Sequence, residues 1–314
     1  MTRREITIGL LALIAFALLA FVPSLSNSAS LLSLMVPIAM YTVLATSWAL
    51  FSGPTHYISL ATAAFYGIGT YILATGIDVL PYPLLLVIAA VAGAIMAAAV
   101  GAATLRLSGV YFVIFTLGLA ELTRQLVTWW QSNFGGSRGK YVFTDITEAQ
   151  IYWQLLGLAA LVYVVGWLIG CSRLGFAIRI IGNDELVAKH SGINTAGSKI
   201  LLFMVSGAFA AVVGAVMAPR FVYIEPAMAF NPQVSFLVVI MALLGGVHRL
   251  WGPLMGAVPF ALVWELIASN FPNQTVLVMG LAFLVVVFYI PNGVSGIIEK
   301  GYRKMREQGG NNHG

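Results

Sequence analysis

The chain has 314 residues, of which 60% are hydrophobic and 9% are charged. An average soluble domain has about 25% charged residues, and 27 charged side chains, 16 basic and 11 acidic, are too few to cover a soluble fold of this length. Composition therefore excludes a water-soluble domain and indicates a protein surrounded by lipid. The formal net charge of +5 does not indicate nucleic-acid binding, because the basic residues flank apolar runs instead of forming one patch. Cys171 is the only cysteine, which excludes an internal disulfide.

Apolar runs follow one another along the whole chain, and a helical crossing of a bilayer needs about 20 mostly apolar residues. The sequence predicts an all-α, polytopic membrane protein with about ten transmembrane helices (eight to ten), and residues 1–314 form a single transmembrane domain. The first run is too long for a signal peptide and is interpreted as an uncleaved span. The eighth run is short and is also compatible with a re-entrant turn. The predicted spans are 6–23, 31–52, 57–76, 83–104, 109–130, 151–171, 200–219, 233–247, 253–270 and 275–291.

The distribution of basic residues predicts the orientation of the chain. With a cytoplasmic N-terminus and ten spans, twelve Lys and Arg residues fall in inner segments and three in outer segments, while Arg124 lies within a span. Inner loops of membrane proteins carry an excess of Lys and Arg. Both termini are therefore predicted to be cytoplasmic.

The long inner loop 172–199 carries an excess of charge and its own helix signals. Asn183 suits the N-cap, acidic residues follow in the first turn, and Glu185 and Lys189 are spaced i,i+4. The predicted helix, about 184–190, is too short to be stable alone in water and must pack against something. Two interpretations stay open: a connector that lies on its own protein, or a helix presented to a partner subunit.

Charged side chains within predicted spans are the next candidates. Glu121 and Arg124 are spaced i,i+3 in the span 109–130, and Glu265 has no obvious local partner. Intramembrane charges are costly and often mark transport pathways. The first two residues are either a structural ion pair that locks helices or a gate, and Glu265 is expected to pair with another subunit.

Four residues with polar tips lie within predicted spans and are candidates to line a path: Tyr57, Ser59, Tyr66 and Tyr111. Packing roles are the alternative for each of them. No set of His, Cys and acidic residues has ligand spacing, so no metal site is predicted.

Several ordered stretches are distinctive. They are Leu-Arg-Leu-Ser-Gly-Val-Tyr-Phe at 105–112, Leu-Ala-Glu-Leu-Thr-Arg at 119–124, Gly-Phe-Ala-Ile-Arg at 175–179 with the stretch 183–194, Leu-Leu-Gly-Gly at 243–246 with Trp-Gly-Pro-Leu-Met-Gly-Ala at 251–257, and Pro-Asn-Gly-Val-Ser-Gly at 291–296. Together they resemble the M-type transmembrane subunit of branched-chain amino-acid ABC importer permeases. The resemblance covers roughly residues 42–298. It departs from the family at 55–65, where Ala61 and Thr62 replace the usual Gly and His, and at Phe176, where Arg is common.

The resemblance implies a permease domain that forms a heterodimer with a second permease subunit and assembles with two ABC ATPase subunits and a periplasmic substrate-binding protein. It implies a location in the bacterial inner membrane and a cargo of branched-chain or related hydrophobic amino acids. ATP and magnesium would be used by the ATPases, so this chain is expected to bind no cofactor and to be no enzyme. The segment 299–314 is expected to be a flexible cytoplasmic tail. The coupling loop is then 172–199, and its expected ATPase contacts are Arg179, Asn183, Asp184, Glu185, Ala188 and Gly192.

Other functions stay open at this stage. Within the same family, urea or short amides and small aromatic acids are alternative cargoes. An ion-coupled secondary transporter would use Glu121, Arg124 and Glu265 as relay groups and would not need a capped, charged inner helix. An intramembrane enzyme is disfavoured, because no nucleophile and base are suitably spaced.

Overall fold

The computed structural model describes residues 29–104, 109–134, 139–247 and 249–271, together with positions 274, 275, 277–281 and 284. The predicted first span (6–23), most of the tenth (275–291) and the tail (299–314) lie outside the described residues and stay predictions. Two stretches of the family resemblance, the first half of 105–112 and all of 291–296, also lie outside them.

The described chain is almost entirely helical, with one two-residue β ladder. Lys140 of β1 (Lys140–Tyr141) pairs with Ile224 of β2 (Tyr223–Ile224) in antiparallel register. A 3₁₀ turn, Ala218–Arg220, directly follows the helix Thr195–Met217. The helices are α1 (Ala29–Thr55), α2 (Thr62–Gly76), α3 (Tyr82–Thr104), α4 (Val110–Phe134), α5 (Glu148–Cys171), α6 (Arg173–Asn183), α7 (Glu185–His190), α8 (Thr195–Met217), α9 (Pro226–Ala229), α10 (Pro232–Gly245) and α11 (Gly252–Asn270).

Seven segments of the described chain are long and apolar enough to cross a membrane: Leu31–Thr55, Tyr82–Thr104, Val110–Phe134, Glu148–Cys171, Thr195–Arg220, Pro226–Gly245 and Gly252–Asn270. Each corresponds to one predicted span. The protein is therefore a multi-pass, helical membrane protein. The number of ten spans and the cytoplasmic position of both termini stay predictions.

The predicted span 57–76 differs from the structure. Its helix, α2, begins only at Thr62 and has 15 residues, so it is about 22 Å long, shorter than the ~30 Å hydrocarbon layer. Residues 56–60 before it are non-helical. The apolar composition of 57–76 predicted one continuous crossing, because hydropathy does not distinguish a helix from a buried extended segment.

Small residues let α2, α3 and α8 pack with their backbones close together. A Cβ atom added at Gly69 would clash with the carbonyl of Ala211, and one at Gly214 would clash with the carbonyl of Tyr66. Close packing through small residues is the usual way that membrane helices associate.

In the segment Leu31–Thr55, 72% of the most apolar window is buried, against 28% in Val110–Phe134, so α1 is central and α4 is peripheral in the described chain.

Candidate coupling helix and transport path

The loop 172–199, predicted to be cytoplasmic, contains two short helices, α6 and α7, that meet at Asp184. The Oδ1 atom of Asp184 accepts hydrogen bonds from the backbone N–H groups of Leu186 (2.8 Å) and Val187 (3.2 Å), so Asp184 is the N-cap of α7. Asn183, the predicted N-cap, is instead the last residue of α6. Both residues suit the cap position, and the extent of the preceding helix decides between them.

The C-terminal end of α7 is also capped. Gly192 has a positive φ of 77° and donates its N–H to the carbonyl of Lys189, while Ile193 donates to the carbonyl of Ala188. These two bonds form a Schellman motif, in which glycine takes the left-handed conformation without a Cβ penalty. A six-residue helix is thus held in shape by its two ends.

The two faces of α7 have different surroundings. Ala188 is completely buried against the protein, whereas the side chains of Leu186 and Val187 are 67% and 53% exposed. Phe176 on α6 is also highly exposed, and Arg179 lies exposed on the same helix. The loop therefore presents large apolar side chains, with a cation nearby, that no described residue covers.

Lys199 connects α7 to the transmembrane core. It lies in the second turn of α8, its side chain is 2% exposed, and its Nζ atom is 2.6 Å from Oε2 of Glu185. The exposed Lys189 lies 3.4 Å from the other carboxylate oxygen. A fully buried ammonium group is stable only with such a partner, so this ion pair fixes α7 against α8. Sequence spacing predicted Lys189 as the partner of Glu185 and missed Lys199, which is 14 residues away along the chain.

The environment of Glu185 favours its charged form. Partial burial opposes ionisation, but the hydrogen bond from Lys199 and the positive charges of Lys199 and Lys189 outweigh burial, so the pKa of the Glu185 carboxyl lies below its usual value. Glu185 is therefore ionised at neutral pH, and the pair with Lys199 is a true ion pair.

The same ammonium group also contacts Tyr57. Its Nζ atom lies 3.3 Å from the Tyr57 hydroxyl oxygen and 4.3 Å from the ring centroid. The ring of Tyr57 packs edge-on against Phe112 of α4, with the centroids 5.3 Å apart. One buried cation thus joins α7, the start of α8 and the non-helical segment before α2.

The non-helical segment 56–60 is held by side chains from three helices. Trp48 of α1 donates to the carbonyl of Ser59 at 2.7 Å, and Thr116 of α4 accepts from the N–H of Leu60 at 3.0 Å. Ser235 of α10 donates to the carbonyl of Leu60 at 2.8 Å and accepts from the N–H of Ala63, also at 2.8 Å. Non-helical backbone at membrane depth must be satisfied in this way inside the protein.

This segment lies well inside the helix bundle. Trp48 is seven residues before the last residue of α1, which is about 10 Å along the helix axis. Ser59 is 3% exposed, and its carbonyl lies at the level of Trp48. The broken span therefore places a loop within the membrane region, at the position where transporters often interrupt helices around their substrate path.

Glu121 and Arg124 form an ion pair within α4 and do not lock two helices together. The Arg124 Nε atom donates to Glu121 Oε2 at 2.8 Å, and Gln125 donates to Oε1 at 2.8 Å. The side chains of Glu121 and Arg124 are 48% and 33% exposed. Three polar residues at the middle of a 25-residue apolar helix thus lie on its uncovered face.

The remaining path candidates lie in separate places. Tyr111 is 73% exposed at the start of α4, while Tyr66 is buried and lines a cavity in the half of the bundle that contains Arg220. Glu265 lines the same cavity. The four predicted path residues, Tyr57, Ser59, Tyr66 and Tyr111, are therefore not the lining of one continuous channel within the described chain.

Many apolar helices and a span that is broken inside the bundle are features of multi-pass transport proteins. The family model described as "Branched-chain amino acid transport system / permease component" matches residues 30–290. The chain therefore belongs to this family, and the resemblance inferred from its sequence is confirmed. Its class is that of the membrane subunits of ABC importers.

The chain is similar to the protein "High-affinity branched-chain amino acid transport system permease protein LivM" from two bacteria. Identity is 25% to the protein of Salmonella typhimurium strain LT2 and 24% to that of Escherichia coli strain K12, each over an aligned length of 295 residues. Each match covers 81% of this chain and 67% of the relative. "Ribose import permease protein RbsC" of Haemophilus influenzae is 27% identical over 105 residues, which is 32% of each chain. These relatives are transport permeases.

A solved structure, "PsaBC from Streptococcus pneumoniae in complex with Fab", has a similar fold. The TM-score is 0.50 at 16% sequence identity, and the match covers 87% of this chain and 96% of the other. At this identity the likeness concerns the fold alone.

Proposed function

We propose that this chain is one of two membrane subunits of an ATP-driven importer for branched-chain or related hydrophobic amino acids. A second, different permease completes the translocation path, two ABC ATPases bind α7 and the neighbouring loop, and a periplasmic binding protein delivers the cargo. The complex lies in the bacterial inner membrane, with both termini of this chain in the cytoplasm.

The observation that carries this proposal is the construction of α7. A six-residue helix with satisfied ends, exposed Leu186 and Val187, and a buried ion pair to α8 is built to receive force at one face and pass it to a transmembrane helix. A connector that only crosses the surface does not need apolar side chains facing outward, because exposing them to water is unfavourable. Helices of this kind that insert into a partner's groove are a common recognition mode.

The uncovered face of α4 supports a second membrane subunit. Glu121, Arg124 and Gln125 lie near the middle of the helix and are not covered by described residues. Charged and amide groups facing hydrocarbon cost several kcal/mol, even as a pair (about 2.5–3.5 kcal/mol per charge on insertion scales). A facing subunit or a water-filled path between subunits removes this cost.

The cargo assignment is supported by the relatives that match most of the chain. LivM is named for branched-chain amino acids and matches 81% of this chain, whereas the ribose permease matches 32%. The departures at 55–65 include the non-helical residues of the broken span and the start of α2, so the same family with urea, short amides or small aromatic acids as cargo is the alternative.

Two matched substitutions test the coupling role. Val187 and Val222 are similarly exposed, at 53% and 63%, but the first is on α7 and the second lies between the 3₁₀ turn and β2. Val187→Asp should abolish co-purification of the ATPase subunits from native membranes, and Val222→Asp should leave it intact. Vanadate should stop uptake of labelled leucine in the wild type. ATPases that stay bound to Val187→Asp, or uptake that vanadate does not affect, would refute the proposal.

A further inference from the structure

A second site lies in the opposite half of the bundle from α7. It is a cavity of about 240 Å³ between α1, α2, α10 and α11, next to the 3₁₀ turn that ends α8. We call it the outer cavity, because the basic-residue distribution places this half of the bundle outside. Its polar residues are Tyr41, Tyr66, Thr70, Arg220, Asn231 and Glu265.

Arg220 is fixed at the wall of the outer cavity by two acceptors. Pro37 lies within α1 and has no N–H to donate to the carbonyl four residues earlier, that of Ser33. The Arg220 Nη2 atom donates to this carbonyl at 3.3 Å, and its Nε atom lies 3.4 Å from Glu148 Oε1. Its Nη1 atom has no acceptor among the described residues, so part of a rigid, oriented donor fork is available to a ligand.

Glu265 is the second charged group of the outer cavity. It lies five residues before the end of α11, about 7 Å along the axis, and is partly buried. It has neither a hydrogen bond nor an ion pair to any described residue, whereas Arg220 is already balanced by Glu148. A carboxylate at this depth without a partner is costly, and the cavity therefore has a place for one cationic group.

The first turn of α10 and an apolar wall complete the outer cavity. The side chain of Asn231 caps α10 by accepting from the N–H of Gln233 at 3.0 Å, and the positive end of this 14-residue helix favours an anionic group. Met217, Trp264 and Val234 supply apolar surface. A donor fork, a helix N-terminus, an unpaired carboxylate and an apolar wall match the carboxylate, the ammonium and the aliphatic side chain of one small molecule.

We propose that the outer cavity binds a small aliphatic α-amino acid as a zwitterion. The ammonium group lies against Glu265, the carboxylate lies against Arg220 and the first turn of α10, and the side chain lies against Trp264 and Met217. The site is inside one subunit and does not require the interface with the second permease. This inference deepens the proposed function and rests on it for the choice of amino acids as ligand.

The test measures equilibrium binding of radiolabelled L-leucine to the purified permease–ATPase complex in phosphatidylglycerol nanodiscs, without the binding protein. Glu265→Gln should weaken leucine binding about tenfold or more, since it removes one charge-assisted hydrogen bond. Glu225→Gln is the matched control, because Glu225 is exposed at the N-cap of α9 and does not line the cavity. 4-Methylpentanoate, which lacks the ammonium, and isopentylamine, which lacks the carboxylate, should each compete about tenfold less well than leucine.

The site is refuted if the wild-type complex shows no saturable leucine binding, if Glu265→Gln binds leucine as tightly as Glu225→Gln, or if either analogue competes as well as leucine. Phosphatidylethanolamine carries the same pair of charges. If adding it to the nanodiscs abolishes leucine binding, the cavity holds a lipid headgroup and the amino-acid assignment is wrong.

A separate uptake measurement distinguishes the site from the function. If the wild-type complex binds leucine at Glu265 but fails to take it up when the binding protein and ATP are present, the cargo proposal is refuted and the proposed binding site remains valid. If uptake is normal but leucine binding is unchanged in Glu265→Gln, the binding site is refuted and the proposed function remains valid.

Discussion

The Nζ atom of Lys199 lies 2.6 Å from the Oε2 atom of Glu185, and the lysine side chain is 2% exposed. This pair joins the helix that we propose as the ATPase contact to the first turns of a transmembrane helix. Lys199 also contacts Tyr57 of the broken span. If α7 moved while α8 and the broken span stayed in place, the buried ammonium group of Lys199 would lose its ion-pair partner.

Replacing Lys199 should uncouple the transporter without unfolding it. In Lys199→Met the buried ammonium is lost but a chain of similar volume stays, and Glu185 keeps Lys189 at 3.4 Å. We expect ATPase subunits to co-purify and hydrolyse ATP, while ATP-dependent uptake falls about tenfold, which is a typical magnitude of coupling between sites. Lys189→Met is the matched control and should transport normally. Equal uptake by the two variants would show that the buried pair has no part in coupling.

The attachment of α7 should depend on pH only in the acidic range. Since the pKa of Glu185 is lower in the folded protein than in the unfolded chain, the pair contributes stability at every pH above the unfolded value, about 4.3. It loses this contribution as the pH falls through the lower, folded value. Amide exchange of residues 185–193, corrected for intrinsic rates, should be constant from pH 7 to about 5 and rise below pH 4.3. Glu185→Gln should show fast exchange throughout; the same acid-dependent rise in this variant would contradict the assignment.

Sequence reasoning located α7 but not what holds it. Charge, cap residues and the terminal glycine of α7 are local signals, so the helix 184–190 was predictable to within one residue. Lys199 was not, because a basic residue at the start of an apolar run ordinarily lies at the membrane surface. Only the packing of α7 onto α8 decides that this one is buried.

The broken span shows the same limit. Hydropathy predicted 57–76 as a crossing, and 15 of these residues are helical. The side chains that stabilise the rest, Trp48, Thr116 and Ser235, come from three other helices. No local pattern relates them to residue 60, so the position of the break had to come from the structure. The convergence of Arg220 and Glu265 on one cavity is non-local for the same reason.

Close packing between α2 and α8 should make Gly214 intolerant of a methyl group. An added Cβ would clash with the carbonyl of Tyr66 and lie 3.0 Å from the Thr70 hydroxyl oxygen. We expect Gly214→Ala to destabilise the protein by about 1–3 kcal/mol, measured as a lower midpoint of thermal unfolding in nanodiscs. At Gly157 of α5 an added Cβ meets nothing within 4 Å, so Gly157→Ala should be neutral or stabilising by up to ~1 kcal/mol. A Gly214→Ala protein as stable as Gly157→Ala would mean that the two helices are not packed this closely.

The Glu121–Arg124 pair allows its structural and gating roles to be separated. Glu121→Gln or Arg124→Gln leaves one unpaired charge on the uncovered face of α4, whereas the double substitution leaves none. If the pair only neutralises itself, each single variant should assemble poorly with the second permease, and the double variant should regain both assembly and uptake, because the cost of an unpaired charge in the membrane (about 2.5–3.5 kcal/mol) disappears. If the pair exchanges partners during transport, the double variant should assemble but fail to import leucine. Co-purification and uptake of the four proteins, wild type included, form a double-mutant cycle. Four proteins that assemble and transport alike would mean that this face of α4 meets neither a partner subunit nor the transport path.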